Sequence, residues 1–408
     1  RDLHSFPTRR SSDLREELLA GALHVVYARS AVAHGTILSI DIDGAKEMPG
    51  VVGVFTAESL GLEPVPSQFN PAVARPMLAS DKVRFVGEPV AAIVAETLAQ
   101  ATDAAEMVFV DVDFLPALVD IEASMASETL IYDAAGSNAV FDTTVLGIPE
   151  NTATDDYFDG CEVVVTGRFL NQRVAPCPLE VRGSAATWVD GRLHQWLSTQ
   201  HAQGVKVPIA AANGVDADKV RVITPDVGGA FGAKIGTYAE EMLLGPISKE
   251  VGRPVRWRET RSESMMNLGH GRSQLQYVTI GGTREGKVTH YQMHLFQDAG
   301  AFMDIGGVLG FAMTRPMASA VYDIANIEVR ATTVLTNTTP TVPYRGAGRP
   351  EATAAAERAM DMFAAEIGKD AAEVRRMNLI PKFLEPHTTA IGQAYDVGDF
   401  EGALDKAL

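Results

Sequence analysis

The sequence has few cysteines, and their spacing excludes several kinds of metal site. Of 408 residues only two are cysteines, Cys161 and Cys177. Neither belongs to a C-x-x-C pair, so this chain cannot build a zinc ribbon or an iron–sulfur cluster of its own. So few cysteines in a long chain are typical of a reducing compartment, and we expect a cytoplasmic location.

Positive charge and long apolar runs are also scarce. The chain carries 35 Lys and Arg against 52 Asp and Glu, a net charge of −17. This balance argues against a nucleic-acid partner, because proteins that bind nucleic acid present a basic face. No apolar run approaches the roughly eighteen residues that a membrane-spanning helix needs, so we expect no membrane span. The length and the hydrophobic content of 46% instead predict a folded protein of two or three domains.

Common catalytic and nucleotide-binding patterns are missing as well. There is no G-x-S-x-G nucleophile elbow and no H-E-x-x-H. The nine histidines show no ligand spacing, and we predict no metal site made of side chains. A glycine-rich stretch at residues 228–234 fits neither the P-loop pattern nor G-x-G-x-x-G, so neither a P-loop nor a Rossmann nucleotide site is supported.

What the chain does contain is a first glycine-rich loop, residues 225–234. It follows a predicted strand at 219–223 and precedes a predicted helix at 235–251. Its glycines allow sharp turns and close approach to another molecule, and the N-terminus of a helix favours an anion. The pattern therefore predicts a strand–loop–helix cradle for a phosphate-bearing ligand, with a tight turn that binds nothing as the alternative.

A second glycine-rich loop, residues 343–349, has the same design. Pro350 stands where a helix would begin, and that helix is predicted over residues 351–367, ending at Gly368. Two loops of one design favour ligand binding over a bare turn.

The order of predicted elements indicates an α+β fold with mixed sheets and helices. Residues 15–125 alternate short strands and helices and form a first unit, and a polar connection spans residues 126–160. The second unit covers residues 161–380, and residues 381–408 begin a further region. Residues 1–14 lack periodicity and resemble translated linker sequence, so we expect a non-native leader there.

The first loop also carries a resemblance. Residues 228–234 resemble the G-G-G-F-G-x-K signature of the molybdenum hydroxylases, the family of xanthine dehydrogenase, aldehyde oxidase and aerobic carbon monoxide dehydrogenase. Further segments resemble that family in the same order: V-G-E-P-V-A at 86–91, N-x-R-x-x-x-x-P-x-E-x-R-G from Asn171, S-T-Q ending at Gln200, and Y-R-G-x-G from Tyr344. The resemblance covers roughly residues 20–400. It implies an a/b-hammerhead domain over 15–125 and a first molybdopterin-binding domain over 161–380.

The resemblance also implies a site. Gln200 matches the glutamine whose amide approaches an oxo ligand of molybdenum. The implied cofactor-binding residues are Gly228, Gly229, Ala230, Phe231, Gly232, Tyr344, Arg345 and Gly346. The planar, permanently charged Arg345 suits a polar heterocycle. Lys234 either faces a phosphate or is solvated at a helix start. The implied cofactor is molybdenum–molybdopterin in its cytosine dinucleotide form.

Two departures from the family limit what is implied. The copper-containing carbon monoxide dehydrogenases have a cysteine where this chain has Gly346, so we do not expect copper-dependent oxidation of carbon monoxide. The family's catalytic base is a glutamate of a longer large subunit, beyond Leu408, so we expect the 408-residue chain alone to be inactive. Glu88 stands in a similar V-G-E-P context but precedes every cofactor motif, and we interpret it as a turn residue.

The implied activity is oxidation of an aldehyde or N-heterocycle with oxygen from water. The family implies partner subunits: a small one with two [2Fe–2S] clusters and a medium one with FAD, assembled as a dimer of heterotrimers. Three alternatives remain open: a carbon monoxide dehydrogenase large chain without the copper cysteine, a non-catalytic molybdopterin-binding paralogue, and an enzyme that uses both loops for a nucleotide. The motifs do not specify the small-molecule substrate.

Overall fold

The computed structural model describes residues 17–146, 154 and 156–408. Its strands are β1 (Leu23–Arg29), β2 (Gly35–Asp41), β3 (Val51–Phe55), β4 (Val65–Pro66), β5 (Ala74–Arg75), β6 (Lys82–Val83), β7 (Pro89–Ala95), β8 (Phe109–Phe114), β9 (Ala139–Asp142), β10 (Val163–Asn171), β11 (Gly183–Val189), β12 (Arg192–Leu197), β13 (Val220–Ile223), β14 (Val255–Arg258), β15 (Gln274–Gly282), β16 (Val288–Gly300), β17 (Asn326–Leu335), β18 (His387–Thr388) and β19 (Ala394–Tyr395). Its α-helices are α1 (Asp43–Lys46), α2 (Leu98–Ala105), α3 (Ile121–Ala126), α4 (Ala202–Ala212), α5 (Ala239–Met242), α6 (Leu244–Val251), α7 (Arg261–Asn267), α8 (Arg349–Glu366), α9 (Ala371–Asn378) and α10 (Phe400–Ala407).

The sheets combine parallel and antiparallel strands and are accompanied by helices, which confirms the predicted α+β class. The expected leader at residues 1–14 lies outside the described residues. Within the described part of the chain, no helix has the length and apolar character needed to cross a membrane.

A seven-stranded sheet joins the two predicted units. Its order is β13-β12-β11-β14-β1-β7-β3, and β1 runs parallel to β14 with Leu23 opposite Val255. In β1 the alternate residues Leu23, Val25 and Tyr27 are buried, as expected for a strand with one face on a core. The same core contains Ile209 of α4 and side chains of α6. The first loop follows β13, at the edge of this sheet.

A five-stranded sheet, in the order β10-β15-β16-β17-β9, forms the second layer. Its outer strand β9 comes from residues 126–160, which we expected to be only a connection. Helix α8 packs on this sheet through small side chains, since Ala355, Ala356 and Ala359 are buried beside Phe363. The second loop ends where α8 begins, so this packing fixes the direction in which that loop leaves the sheet.

The prediction of a helix over residues 235–251 is wrong for its first residues. The chain turns through residues 231–236, and only then come α5 and α6. The N-terminus of α5 is closed by its own chain, because the Tyr238 N–H donates to Glu241 Oε2 at 3.1 Å. The first loop therefore does not open a helix, and the anion cradle predicted from a helix N-terminus at this position is wrong. The second loop does open a helix, which starts at Arg349 with Pro350 in its first turn.

Candidate functional site

The two glycine-rich loops lie against each other, although the sequence separates them by more than a hundred residues. The Arg345 N–H donates a hydrogen bond of 2.9 Å to the Phe231 carbonyl oxygen. Gly232 has φ +102°, and a Cβ atom there would lie 2.2 Å from the Pro343 carbonyl oxygen. Only glycine allows this approach, so Gly232 is the contact that brings Phe231 and Arg345 together.

Gln200 completes this junction from the end of the segment after β12. The side-chain Oε1 accepts the Gly232 N–H at 2.9 Å, and the backbone N–H of Gln200 donates to the Lys234 carbonyl oxygen at 3.0 Å. The residue is exposed, and its amide Nε2 donates to no other described residue. Because Oε1 accepts the Gly232 N–H, the two hydrogens of Nε2 remain as donors for a ligand.

An ion pair between buried Lys234 and half-buried Glu180 fixes the first loop. Lys234 is 1% exposed, and its Nζ lies 2.9 Å from Ser198 Oγ and 3.0 Å from Glu180 Oε2. The same Glu180 oxygen accepts the Gly228 N–H at 2.8 Å. Burial lowers the pKa of Lys234, while Glu180 raises it. Both interpretations of Lys234 are therefore wrong: it faces neither a ligand phosphate nor solvent, and it fixes the loop.

The second loop is held by an arginine that sequence reasoning missed. Arg272 Nη1 donates to the Tyr344 carbonyl oxygen and Nη2 to the Arg345 carbonyl oxygen, both at 2.8 Å. Its guanidinium carbon also lies 4.8 Å from the centre of the Tyr344 ring. With its carbonyl held in this way, Arg345 extends an exposed side chain that forms no ion pair with any described residue.

The joined loops offer several unused hydrogen-bond donors. The N–H groups of Gly229, Ala230 and Phe231, and that of Gly346 across the junction, donate to no described residue. Backbone donors and a nearby guanidinium suit a ligand rich in carbonyl, ring-nitrogen and phosphate acceptors. The residues present therefore fit a polar heterocyclic cofactor that carries phosphate.

A buried ionic network joins residues next to β11 and β14 with β1 and helix α5. Arg182 is fully buried and pairs with Glu259 at 2.7 Å, while Arg29 of β1 pairs with Glu240 at 2.9 Å. Burial alone would raise the pKa of Glu240, but Arg182 and Arg29 outweigh it and lower the pKa to about 2. This network ties the first predicted unit to the second, so it supports the position of the loops.

Glu88 lies in the turn before β7, and the structure buries it. Its Oε2 accepts the Arg84 N–H at 2.6 Å, which closes that turn. Burial raises the pKa of Glu88 to about 7. It is 2% exposed, so its contacts are those of a structural carboxylate.

Comparison with known proteins identifies the family of the chain. Residues 132–379 match the family described as "Molybdopterin cofactor-binding domain". Residues 15–116 match "Aldehyde oxidase and xanthine dehydrogenase, a/b hammerhead domain". The chain thus contains a molybdopterin cofactor-binding domain, and it belongs to the aldehyde oxidase and xanthine dehydrogenase family of molybdenum hydroxylases.

Individual relatives lie within the same family. The chain is 32% identical over 412 residues to the nicotine 6-hydroxylase large subunit of Paenarthrobacter nicotinovorans, covering 98% of this chain and 49% of the relative. It is 33% identical to the carbon monoxide dehydrogenase large chain of Hydrogenophaga pseudoflava, covering 96% and 51%. The crystal structure of quinoline 2-oxidoreductase from Pseudomonas putida 86 superimposes with a TM-score of 0.87 at 29% identity, over 100% of this chain and 54% of that chain. The chain spans about half the length of the curated relatives it matches.

Proposed function

We propose that this chain carries the cofactor-binding loops of a molybdenum hydroxylase that oxidises an aldehyde or an N-heterocycle with oxygen from water. Relatives named as hydroxylases and oxidoreductases of nicotine, quinoline and aldehydes support this class of substrate. The observation that carries the proposal is the junction at Gly232, where the Gln200 amide, the Phe231 backbone and Arg345 meet.

Each residue of the junction has a role that its geometry supports. Gln200 would donate its free amide N–H to the metal end of the cofactor, because its Oε1 already accepts the Gly232 N–H. The first loop contributes backbone N–H groups that have no other described partner. The cofactor-binding residues of this loop are Gly228, Gly229, Ala230, Phe231 and Gly232.

The second loop contributes the other side of the cradle. Arg345 supplies a permanent positive charge and a planar set of donors, while Tyr344 and Gly346 supply backbone groups. Arg272 binds the carbonyl oxygens of Tyr344 and Arg345, so these acceptors are satisfied and the free N–H donors of the loops remain for a ligand. When bound, the molybdenum–molybdopterin group supplies two-electron redox chemistry.

The catalytic base belongs, in this proposal, to residues outside this chain. Gln200, Phe231 and Arg345 form the exposed junction, and none of them can act as a carboxylate base. Glu88 is buried in its turn and accepts a backbone N–H, which suits structure better than proton transfer to a substrate.

The proposal extends to the cofactor form, partners and domains. We assign the cytosine dinucleotide form of the cofactor, a [2Fe–2S] small subunit, an FAD medium subunit, a dimer of heterotrimers and a cytoplasmic location. Relatives named as a large subunit, a large chain and a complex subunit support an assembly of several chains. The domains proposed are the hammerhead at 15–125 and the molybdopterin-binding domain at 161–380, joined by 126–160, with 1–14 as leader and 381–408 as the start of a further region.

The test uses the full-length protein with its copurified subunits. Molybdenum and pterin nucleotide are measured by elemental analysis and chromatography, and turnover of aldehydes and N-heterocycles is measured with a dye acceptor. We expect Gln200→Ala to retain molybdenum and to lower kcat by about a hundredfold, because a positioned donor contributes about that much. Gln203→Ala is the matched control, since Gln203 is exposed on the adjacent helix α4.

Three results would overturn the proposal. A complex with bound nucleotide instead of pterin would favour the nucleotide-binding alternative. A complex that holds molybdopterin but turns over no substrate would favour a non-catalytic paralogue. Equal kcat for Gln200→Ala and Gln203→Ala would remove Gln200 from the catalytic site.

A further inference from the structure

A cluster of a thiol, an imidazole and a hydroxyl group lies at the five-stranded sheet, apart from the glycine-rich loops. Cys161 lies two residues before β10, and its Sγ is 3.3 Å from Nδ1 of His290, a residue of β16. The Thr289 hydroxyl oxygen is 3.6 Å from the same sulfur and 2.9 Å from the same imidazole nitrogen. A thiol from the segment before β10 and an imidazole and a hydroxyl from β16 therefore lie within hydrogen-bond distance of one another.

A glycine in the intervening strand makes this contact possible. Strand β15 lies between β10 and β16, and its Gly281 is paired with Val164 on one side and His290 on the other. A Cβ atom on Gly281 would lie 2.8 Å from Cys161 Sγ. The thiol thus reaches across β15 to the imidazole only because this position has no side chain.

Two aromatic rings surround the imidazole. The ring centres of Tyr157 and Phe158 lie 5.3 Å and 6.0 Å from that of His290. Burial lowers the pKa of His290, so the imidazole is neutral near pH 7 and can accept a proton. With Nδ1 as the acceptor, the tautomer assigned from these contacts carries its hydrogen on Nε2.

We propose that Cys161 is a reactive thiol and a site of covalent modification by soft electrophiles, with His290 as its general base. As the sulfur attacks an electrophilic carbon, an S–C bond forms and the leaving group departs with its bonding pair. The thiol proton moves to His290 Nδ1, so the step needs no oxidant or reductant. Once Nδ1 is protonated, the Thr289 hydroxyl oxygen, 2.9 Å away, accepts a hydrogen bond from it.

Cys177 provides an internal comparison. It is exposed, and its Sγ lies 3.4 Å from the thioether sulfur of Met265. Cys161 is half-buried, so access alone favours modification of Cys177. If Cys161 is modified faster than Cys177, the difference in exposure cannot be the cause.

The experiment is competitive alkylation of the full-length protein by limiting iodoacetamide at pH 7, resolved for each cysteine by peptide mass spectrometry. We expect Cys161 to react about tenfold faster than Cys177. The ceiling is about thirtyfold, because an ordinary thiol is only a few per cent thiolate at pH 7. His290→Asn removes the base and widens access, so the rate at Cys161 should fall about tenfold while the rate at Cys177 stays unchanged.

The same experiment can overturn the proposal without any variant. If Cys161 of the unmodified protein reacts no faster than Cys177, the thiol is not activated. If His290→Asn leaves the Cys161 rate unchanged or raises it, the imidazole only covers the thiol. Gly281→Ala is a second variant that displaces the sulfur from His290, and an undiminished Cys161 rate there would also contradict the proposed geometry.

Discussion

The two loops of the candidate site meet at one junction but are held in place by different interactions. The first loop is anchored by side chains, since the buried ammonium of Lys234 binds Glu180 and Ser198. The second loop is anchored through its backbone, since Arg272 binds two of its carbonyl groups and helix α8 continues from its end. In the first loop a lysine of the loop binds a distant carboxylate, and in the second loop a distant arginine binds backbone carbonyl groups.

The two loops should respond differently to mutation. An ion pair with a buried lysine is sensitive to the loss of either partner, because the remaining charge loses its counterion. Backbone anchoring distributes the cost over several weaker contacts. The first loop should therefore fail sharply when altered, and the second should tolerate change.

Gly232→Ala should have the largest effect, because it breaks the junction between the loops. The added Cβ would meet the Pro343 carbonyl oxygen at 2.2 Å, and φ is +102°. We expect the free energy of unfolding to fall by about 4 kcal/mol or more, with loss of bound molybdenum. Denaturant unfolding and elemental analysis of the full-length protein measure both. Gly214→Ala is the control: φ is +61° but no atom lies within 4 Å, so it should cost only about 1 kcal/mol.

Lys234→Met should have the next largest effect, on the first loop alone. It leaves Glu180 without its cation, although Ser198 and the Gly228 N–H still donate to that carboxylate. We expect a loss of about 3 kcal/mol in unfolding free energy. Lys249→Met, on the exposed face of α6, is the matched control. A cost for Lys234→Met no greater than that of Lys249→Met would show that the ion pair does not anchor the loop.

The structure of the second loop can be predicted from the sequence better than that of the first. Glycines at 346 and 348 and a proline at 350 are local signals for a turn that opens a helix, and α8 begins within two residues of its predicted start. The Asp190–Gly191 turn between β11 and β12 is local in the same sense. Such features are encoded by neighbouring residues, so a single sequence suffices to predict them.

The first loop depends on contacts that no local pattern contains. Lys234 is buried because Glu180, 54 residues away, folds beneath it. The helix predicted from residue 235 begins instead at α5, where Tyr238 and Glu241 form the cap. Resemblance to a family identified the residues that meet at the junction and also the segment that contains Glu180, but the anchoring roles of Glu180 and Arg272 could be recognised only from long-range contacts.

Glu241→Gln tests whether charge near the first loop imposes a pH dependence. Burial raises the pKa of Glu241 to about 7. The folded state therefore binds this proton more tightly than the unfolded state, and stability falls as pH rises from about 4.5 to about 7. Glutamine can still accept the Tyr238 N–H, so the variant should gain up to about 3 kcal/mol at pH 8 and nothing at pH 4. Unfolding curves at both pH values measure this, and equal effects at the two would contradict the assigned shift.

Ala347→Gly should have the smallest effect, and it tests the backbone anchoring of the second loop. Ala347 has φ +39°, between two glycines that also have positive φ. Glycine removes the strain of an L-residue in this region but adds freedom to the unfolded chain, so we expect a gain of less than about 1 kcal/mol. Ala403→Gly, in the exposed helix α10, should instead cost about 1 kcal/mol. Thermal unfolding of the two variants should therefore shift in opposite directions, and a shared direction would mean that backbone strain at Ala347 does not distinguish the second loop from an ordinary helix.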